Sequence, residues 1–376
     1  MAIGERETYR RYDGNYSFEQ KEILNPSKGL HFGTSRNPAI TNEALLKELN
    51  KKGIFLVKKN SKAPIDTQEI TRILLVDSRE VCKAKSYEEG IMRMAIEASN
   101  QALEGEDRSK IDFVAGITSR AALFDPAEDK KDNFSHALAK KLGLVNAVFK
   151  DGDTYGGCSG TAQSINEVKK REQELYGKRI LLVAAEYFSN FITDPFDRFI
   201  FSDKAVAAVF TYGKDLVVID SLIEIDESNS HLIKLYSPPE FSDHYKVKAP
   251  HTDKGFEMEG PKVQKYIEKE LPSIVNKTLD LNGLSIDQIK AVVTPQNNGR
   301  IIPHWERHFP GKIFNYASTG NAAAASSLLT FMKAYEQNLI GKDDLIAYTS
   351  IGLGMAKGCA LIKLFSSHRD NVLKAA

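Results

Sequence analysis

Asp153-Thr-Tyr-Gly-Gly-Cys-Ser-Gly-Thr-Ala-Gln-Ser-Ile165 places one cysteine, Cys158, among glycines and directly before a predicted helix, Ser159 to Lys170. The glycines let other backbone approach closely and leave room for a substrate. A helix N-terminus offers unpaired N–H groups and the positive end of the helix dipole, which favour a thiolate. These are the conditions for a nucleophile. A buried structural cysteine is the alternative that this stretch allows by itself.

A second junction of the same kind, Gly320-Asn321, opens a helix of alanine and serine later in the chain. Both junctions lie in the same order of elements: an apolar strand, a helix, a short strand, the junction with its small-residue helix, and two further strands. The two runs are offset by roughly 150–180 residues, far more than a solenoid period, so the pattern indicates a duplicated domain. The matching apolar strands are Asp112–Thr118 and Ile180–Ala185 in the first run, and Ile289–Pro295 and Leu345–Thr349 in the second.

Strands that alternate with helices, each strand a nearly continuous apolar run, favour a parallel sheet covered on both faces. The predicted fold is therefore α/β, with two duplicated βα halves at residues 1–215 and 216–376. Catalytic and ligand-binding residues in such folds lie at strand ends and helix N-termini. Cys158 and Asn321 occupy equivalent positions, so packing of the two small-residue helices brings both into one site. This favours the nucleophile interpretation of Cys158.

The spacing of apolar residues also predicts individual elements. Helices are expected at Tyr87–Leu103 and Phe134–Leu142. Short strands are expected at Ile54–Val57 and Ile73–Val76.

The composition is that of an ordinary globular protein. Of 376 residues, 42% are hydrophobic and 27% are charged, which excludes disordered and fibrous classes. The formal net charge is +1 with both signs interspersed, so no nucleic-acid partner is predicted. No stretch approaches ~18 uncharged apolar residues, so no membrane span is predicted. The charged N-terminal residues argue against a signal peptide.

Cysteine usage points to a reducing compartment. Cys82, Cys158 and Cys359 lie far apart and cannot form a disulfide framework. They also lack the spacing of metal ligands, so no metal is expected. We expect a cytoplasmic protein in which Cys82 and Cys359 are structural.

Five short motifs in order resemble those of the β-ketoacyl-acyl-carrier-protein synthase III group of thiolase-fold condensing enzymes. Together they cover the chain from about residue 85 to the C-terminus. The motifs are Gly157-Cys158-Ser159-Gly160, Asp194-Pro-Phe-Asp197-Arg198 with Asp203-Lys-Ala205, Met258-Glu-Gly260-Pro-Lys-Val263, Ser318-Thr-Gly320-Asn321 and Ser350-Ile-Gly352-Leu-Gly354.

The resemblance implies a thiolase-like fold with α-β-α-β-α layers. It implies that Cys158 accepts an acyl group and that Asn321 is its polar partner. The oxyanion hole would combine the N–H of Cys158 with one from the loop Gly352, Leu353 and Gly354. The implied substrates are acyl-CoA or acyl-ACP, presented on phosphopantetheine, with no tightly bound cofactor. The implied pathways are fatty-acid or polyketide biosynthesis, in a homodimer or a heterodimer with a related synthase.

One motif departs from the family. The family has a catalytic histidine in His-x-x-Asn-x-Arg-Ile, whereas this chain has Pro295-Gln-Asn-Asn298-Gly-Arg300-Ile301. Pro295 stands at the histidine position, and a shift of one residue would place Gln296 there. Asn298 and Arg300 still match, and they are candidates to contact the phosphates of coenzyme A or of a carrier-protein arm.

Three interpretations therefore stay open. Condensation survives with another donor, drawn from Thr294, Gln296, His304 or His251; or the acyl group passes to an amine, a hydroxyl or another carbon nucleophile; or the chain is a non-catalytic partner of an active relative. Loss of one oxyanion donor costs ~2.7–4 kcal/mol in a transition state. Loading of Cys158 depends less on histidine, because a helix dipole lowers the pKa of a thiol.

Overall fold

Two five-stranded sheets form the centre of the structure, a computed structural model that describes residues 29–58, 63–119, 133–148, 152–190, 192, 194–235, 256–316 and 319–365. In chain order the strands are β1 (His31–Thr34), β2 (Ala39–Thr41), β3 (Ser78–Glu80), β4 (Phe113–Ile117), β5 (Asp153–Thr154), β6 (Arg179–Glu186), β7 (Lys204–Thr211), β8 (Leu216–Ile225), β9 (Ile233–Leu235), β10 (Phe256–Met258), β11 (Ala291–Val293), β12 (Ile313–Phe314), β13 (Leu345–Ile351) and β14 (Ala356–Leu364). The helices are α1 (Asn42–Lys51), α2 (Thr67–Leu74), α3 (Tyr87–Ala102), α4 (Phe134–Leu142), α5 (Gly160–Lys170), α6 (Glu172–Leu175), α7 (Gly260–Leu281), α8 (Ile302–His308) and α9 (Ser326–Glu336).

The two sheets have the same topology, as a duplication predicts. The first has the order β5-β4-β6-β7-β1 and the second the order β12-β11-β13-β14-β8. In each sheet the first three strands are parallel and the last two are antiparallel to their neighbours. Strand β8 begins at Leu216, the residue at which we propose that the second half starts.

The expected parallel sheet is confirmed only for three strands of each sheet, because both sheets are mixed. Strands β13 and β14 are joined only by Gly352–Met355. A parallel partner needs a crossover of a dozen or more residues, so this short loop permits only antiparallel pairing. In the first sheet the described residues between β6 and β7 form only 3₁₀ turns, and β7 pairs with β6 antiparallel.

Five layers alternate between helix and sheet. Helix α5 contacts β4 and β5 of the first sheet and β8, β13 and β14 of the second, and α9 contacts β7 as well as β11, β12 and β13. These two helices therefore lie between the sheets. Helices α3 and α4 pack on the first sheet, and α7 packs on the second. The central layer is tight, since a side chain on Gly358 of β14 would lie 2.7 Å from Cβ of Ala162 on α5.

The predicted helices at Tyr87–Leu103 and Phe134–Leu142 are confirmed as α3 and α4. The predicted strand at Ile73–Val76 is wrong, because Ile73 lies in the last turn of α2. Asp66 caps this helix by accepting a hydrogen bond from the N–H of Glu69, and Leu75 ends it with a φ of 51°. The predicted strand at Ile54–Val57 is reduced to a single bridge between Val57 and Pro64. Of the described helices, none has the length and apolar character needed to cross a bilayer.

Candidate active site

Cys158 lies in a single 3₁₀ turn, Gly157–Ser159, which directly precedes α5 and follows β5. Gly157 has a φ of +53°, and a side chain on it would lie 2.9 Å from Cβ of Leu353 and 3.3 Å from Oγ of Ser119. Only glycine fits this left-handed, crowded position. The turn thereby brings Cys158 against the loop between β13 and β14. Cys158 itself is partly covered and faces a small internal cavity.

The cavity has a volume of about 40 Å³ and mostly apolar walls. Three aromatic rings form one side: Phe188 and Phe201 stack at 4.4 Å between centroids, and Phe256 packs edge-on at 5.3 Å from each. The other lining residues are Ser119, Cys158, Ile233, Met258, Val263, Ile267, Asn297, Asn321, Ile351, Gly352 and Leu353. The site therefore combines one thiol, two side-chain amides and one hydroxyl with a hydrocarbon wall.

The side chain of Asn321 is oriented so that its amide nitrogen, Nδ2, is available to donate a hydrogen bond to a ligand. Its Oδ1 accepts hydrogen bonds from the N–H of Ala323 at 2.8 Å and from Oγ of Ser326 at 2.7 Å. Its backbone is fixed to the opposite half, with its N–H donating to the carbonyl of Ile200 and its carbonyl accepting from the N–H of Ser202. Because both acceptor positions of Oδ1 are used, Nδ2 is the group left to meet a ligand. The structure thus brings Asn321 and Cys158 to one cavity.

The loop after β13 presents one backbone N–H to the Cys158 sulfur. The N–H groups of Leu353 and of Cys158 itself both lower the pKa of the thiol, as donors facing the sulfur do. The N–H of Gly352 donates to the carbonyl of Ala356 at 3.0 Å and is therefore occupied. Gly354 does not line the cavity. Within the predicted loop, Leu353 is the residue whose N–H is placed at the sulfur.

The thiol of Cys158 is nevertheless held in its protonated form. Burial is the largest effect and the charge of Glu186 the next, and together they raise the pKa of Cys158 to about 12. The two N–H groups only partly oppose them. The effect expected of the helix N-terminus is therefore outweighed, in this state of the protein, by burial and by the charge of Glu186. A rise from 9 to about 12 disfavours the thiolate by about 4 kcal/mol.

Glu186, at the end of β6, is a site residue that sequence reasoning missed. Its side chain is fully buried, and it accepts hydrogen bonds from Oγ of Ser119 at 2.7 Å and from the hydroxyl of Tyr87 at 3.4 Å. Ser119 also lines the cavity beside Cys158. The sequence does contain an indication of it: Glu186 is an acidic residue at the carboxyl end of the apolar strand Ile180–Ala185. In α/β folds, ligands bind at the carboxyl ends of the strands.

Neither residue at the expected histidine position lines the cavity. Pro295 is buried elsewhere, and Nε2 of Gln296 donates to the carbonyl of Tyr316 at 2.6 Å and to Oγ1 of Thr319 at 2.9 Å. Thr294 donates its hydroxyl to the carbonyl of Phe314. His304 lies on α8, paired with Arg307, and His251 lies outside the described residues.

Comparison with known proteins agrees with the motifs. Residues 279–364 match the sequence model for the C-terminal part of 3-oxoacyl-[acyl-carrier-protein] synthase III. The chain is 24% identical over 291 residues to the β-ketoacyl-[acyl-carrier-protein] synthase III of Lactobacillus delbrueckii subsp. bulgaricus, covering 74% of this chain and 86% of that one. It is 28% identical over 280 residues to the same enzyme of Thiobacillus denitrificans, covering 72% and 81%.

Solved structures show the same fold. The synthase III of Thermus thermophilus superposes with a TM-score of 0.73 at 19% identity, over 90% of this chain and 100% of that one. The priming β-ketosynthase of the R1128 polyketide pathway superposes with a TM-score of 0.71 at 22% identity, over 97% and 99%. The chain is a synthase III-like protein with a thiolase-like fold.

This synthase III-like protein has a third side chain at the cavity that the motifs did not predict, Asn297. The residue is 7% exposed, and its buried Nδ2 has no hydrogen-bond partner among the residues that the structure describes. A buried donor left unpaired costs about 1–3 kcal/mol. Asn297 directly follows Pro295 and Gln296, so the segment expected to carry the histidine does reach the cavity, through a different residue.

The predicted phosphate contacts of the synthase III-like protein lie outside the cavity. Arg300 is exposed, and its backbone N–H donates to Oδ1 of Asn298 at 3.0 Å. A separate open groove of about 520 Å³ is lined by Asp194, Asp197, His231 and Lys234, and it shares Phe256 and Met258 with the cavity. Within the described ranges, no three His, Cys, Asp or Glu residues are grouped as metal ligands would be.

Proposed function

We propose that this synthase III-like protein is an acyltransferase that loads an acyl group from acyl-CoA or acyl-ACP onto Cys158. The observation that carries the proposal is the setting of the Cys158 sulfur: it faces an apolar cavity and is itself faced by the N–H groups of Cys158 and Leu353. Those two donors are suited to an oxyanion hole. The motifs and the synthase III relatives support the same function.

In the loading step the Cys158 sulfur attacks the carbonyl carbon of the thioester. The carbonyl π electrons move onto oxygen, and the N–H groups of Cys158 and Leu353 stabilise the negative charge that develops there. Collapse of the tetrahedral intermediate breaks the bond to the sulfur of the pantetheine arm. The proton of Cys158 ends on the departing thiol, so the step needs no other reactant. Because the resting thiol is protonated, its proton leaves as part of the attack.

The cavity walls suit a hydrocarbon acyl chain. Phe188, Phe201 and Phe256 line one side, and Ile233 and Met258 continue it. Burial of each methylene of the chain contributes about 0.8 kcal/mol. The volume of about 40 Å³ leaves room for only a short acyl group. A longer chain must therefore move these side chains apart.

The second step passes the acyl group to an acceptor. In the condensing version, a carbon nucleophile from a malonyl thioester attacks the acyl-Cys158, and Asn321 Nδ2 holds an oxygen of that thioester. In the other version an amine, a hydroxyl or a different carbon nucleophile attacks directly. We propose acyl carrier protein or coenzyme A as the partner, with Arg300 and Asn298 as candidate contacts for its phosphates. A homodimer, or a heterodimer with a related synthase, follows from the resemblance.

One rival function has an observation in its favour. Among the described residues that line the cavity there is no histidine, and the pKa of the Cys158 thiol is raised to about 12. Both features suit a non-catalytic partner of an active synthase. The Nδ2 group of Asn297 argues against it, because a site without chemistry has no need of a buried donor that no described residue pairs.

Acyl loading of Cys158, detected by mass spectrometry of the intact protein, tests the proposal. The full chain is incubated with panels of acyl-CoA and acyl-ACP, with Cys158→Ala as the matched control. We expect a single acyl adduct on the wild type and none on the variant. If the wild type forms no adduct under conditions that load an active synthase III, the rival function stands.

A further inference from the structure

The family's histidine position falls within the segment Pro295-Gln296-Asn297, which follows β11. The side chains of these three residues have different surroundings in the structure. The N–H of Asn297 donates to the carbonyl of Pro295 at 3.0 Å, and Nδ2 of Asn315 donates to the same carbonyl at 2.7 Å. This tight turn fixes the direction of the segment. Gln296 is turned toward Tyr316 and Thr319 by its two hydrogen bonds. Asn297 is the member of the three that lines the cavity.

Asn297 has a side-chain donor with nothing to bind. Asn297 is 7% exposed. Its Nδ2 is buried and has no hydrogen-bond partner among the described residues. Buried polar groups in native proteins are almost always paired, and an exception needs a physical reason. A ligand oxygen in the adjoining cavity provides one.

Asn321 presents an equivalent group to the same cavity. Its Oδ1 accepts hydrogen bonds from Ala323 and Ser326, so its Nδ2 is the atom available to donate to a ligand. Asn297 comes from the segment after β11 and Asn321 from the junction before α9. Two neutral N–H donors, held by separate elements, thus border one cavity together with Cys158.

We propose that Nδ2 of Asn297 and Nδ2 of Asn321 together bind the thioester oxygen of a β-carboxylated acyl thioester, with Asn297 in the role that histidine has in the family. The inference rests on the condensing version of the proposed function and adds Asn297 as a second donor to the thioester oxygen. The negative charge of the enolate develops on that oxygen, and preorganised donors aimed at it lower the barrier.

The chemistry of the amide restricts the kind of nucleophile. An asparagine amide can donate hydrogen bonds but cannot take a proton at neutral pH. When the bond between C2 and the carboxylate breaks, its electron pair forms the enolate and the carboxylate leaves as CO₂. No proton has to be removed. The enolate carbon then attacks the acyl carbonyl on Cys158, a carbon–carbon bond forms, and the Cys158 thiolate leaves. A thioester without the β-carboxylate would need a base at C2, which neither amide supplies.

The experiment measures CO₂ release from malonyl-CoA and malonyl-ACP together with acyl loading of Cys158. Asn297→Leu replaces the amide with an apolar group of similar size, so we expect CO₂ release to fall by roughly 10²–10³-fold. We expect acyl loading to stay within about threefold, because the donors at the oxyanion of the loading step are backbone groups. The melting temperature should stay the same or rise, since the change removes an unpaired buried donor.

Asn282→Leu is the matched control. Asn282 is also buried, at 9% exposure, but its Nδ2 is paired with Asp220 and with the carbonyl of Thr278, away from the cavity. It should lower the melting temperature and leave CO₂ release unchanged. Asn297→Ala serves as a second variant, with the same expected loss of CO₂ release.

The outcomes separate the two proposals. Loss of loading in the wild type overturns the proposed function. Loading without CO₂ release in the wild type, or CO₂ release by Asn297→Leu and Asn297→Ala at the wild-type rate, overturns the role of Asn297. A folded Asn297→Leu that loads Cys158 but no longer releases CO₂ supports it.

Discussion

Gly352 lies so close to Cys158 that a methyl group on Gly352 would stand 2.2 Å from Cβ of Cys158 and 3.1 Å from its sulfur. The loop after β13 therefore covers the cysteine directly. This contact places the N–H of Leu353 at the sulfur.

Gly352→Ala should accordingly slow acyl loading. The added methyl group cannot fit against Cys158 without moving the loop, so the donor at Leu353 is displaced from the oxyanion position. Loss of one such donor lowers the rate by roughly 10²–10³-fold. The matched control is Gly260→Ala, because a side chain there meets nothing within 4 Å. Rates of adduct formation by mass spectrometry check the prediction, and equal loading by the two variants would contradict it.

Glu186→Gln should lower the pKa of the Cys158 thiol. The charge of Glu186 raises this pKa, so its removal favours the thiolate, while burial, the larger effect, still raises the pKa. Each pKa unit recovered is about a tenfold gain in thiolate at neutral pH. Iodoacetamide alkylation of Cys158 as a function of pH measures the change. Glu174→Gln, at an exposed position, is the control. Unaltered alkylation in Glu186→Gln would show that its charge does not act on the thiol.

Asp197→Asn should stabilise the protein at neutral pH. Burial, and then the charge of Asp194, raise the pKa of Asp197 from 3.8 to about 7. A carboxyl group with a raised pKa in the folded state destabilises the fold increasingly as the pH rises from about 4 to about 7. The penalty that the variant removes is at most about 4 kcal/mol at and above pH 7, and it vanishes below pH 4.

Urea denaturation at pH 4 and at pH 7.5 tests this prediction for Asp197→Asn. The control is Asp280→Asn on the exposed face of α7. The gain in free energy of unfolding should appear only at the higher pH and only for Asp197→Asn. A gain that is the same at both pH values would rule out titration of Asp197 as its cause.

Arg179→Met should destabilise the fold independently of the site. The guanidinium, 8% exposed, donates to Asp215 and Glu106 at 2.8 Å each and to the carbonyl of Gly29 at 2.9 Å. Its removal takes the guanidinium away from two buried carboxylates, and breaking a buried ion pair in this way costs about 3–5 kcal/mol. The neighbouring Lys178 makes an exposed pair with Asp112, so Lys178→Met should cost about 0–1 kcal/mol. Urea denaturation measures the free energy of unfolding of both variants. Similar decreases for Arg179→Met and Lys178→Met would contradict a stabilising role for the buried ion pairs of Arg179.

The sequence predicts the architecture because the duplication repeats an entire order of strands and glycine junctions. Cys158 and Asn321 were found in this way, since equivalent junctions in two packed halves must meet. The strand expected at Ile73–Val76 failed because its apolar residues belong to the last turn of a helix with Ile70 and Leu74 buried. A short apolar run carries no period long enough to distinguish the two structures.

The rest of the site depends on distant contacts that the motifs do not encode. Which of Pro295, Gln296 and Asn297 faces the cavity is decided by hydrogen bonds to Asn315, Tyr316 and Thr319. The raised pKa of Cys158 cannot be predicted from the sequence for a related reason. The effect of the helix terminus is local and visible in the sequence, whereas burial and the charge of Glu186 arise only when the chain is folded.

The position of the acyl adduct is the most direct test of Cys158 as the acyl acceptor. The full chain is incubated with the acyl thioester that gives the strongest adduct, digested, and mapped by tandem mass spectrometry. All three cysteines are followed, because Cys82 and Cys359 are buried internal controls. We predict one acyl group on the peptide that contains Cys158, none on the other two, and its release by hydroxylamine as expected of a thioester. An adduct on another residue, or none on Cys158, would contradict the account.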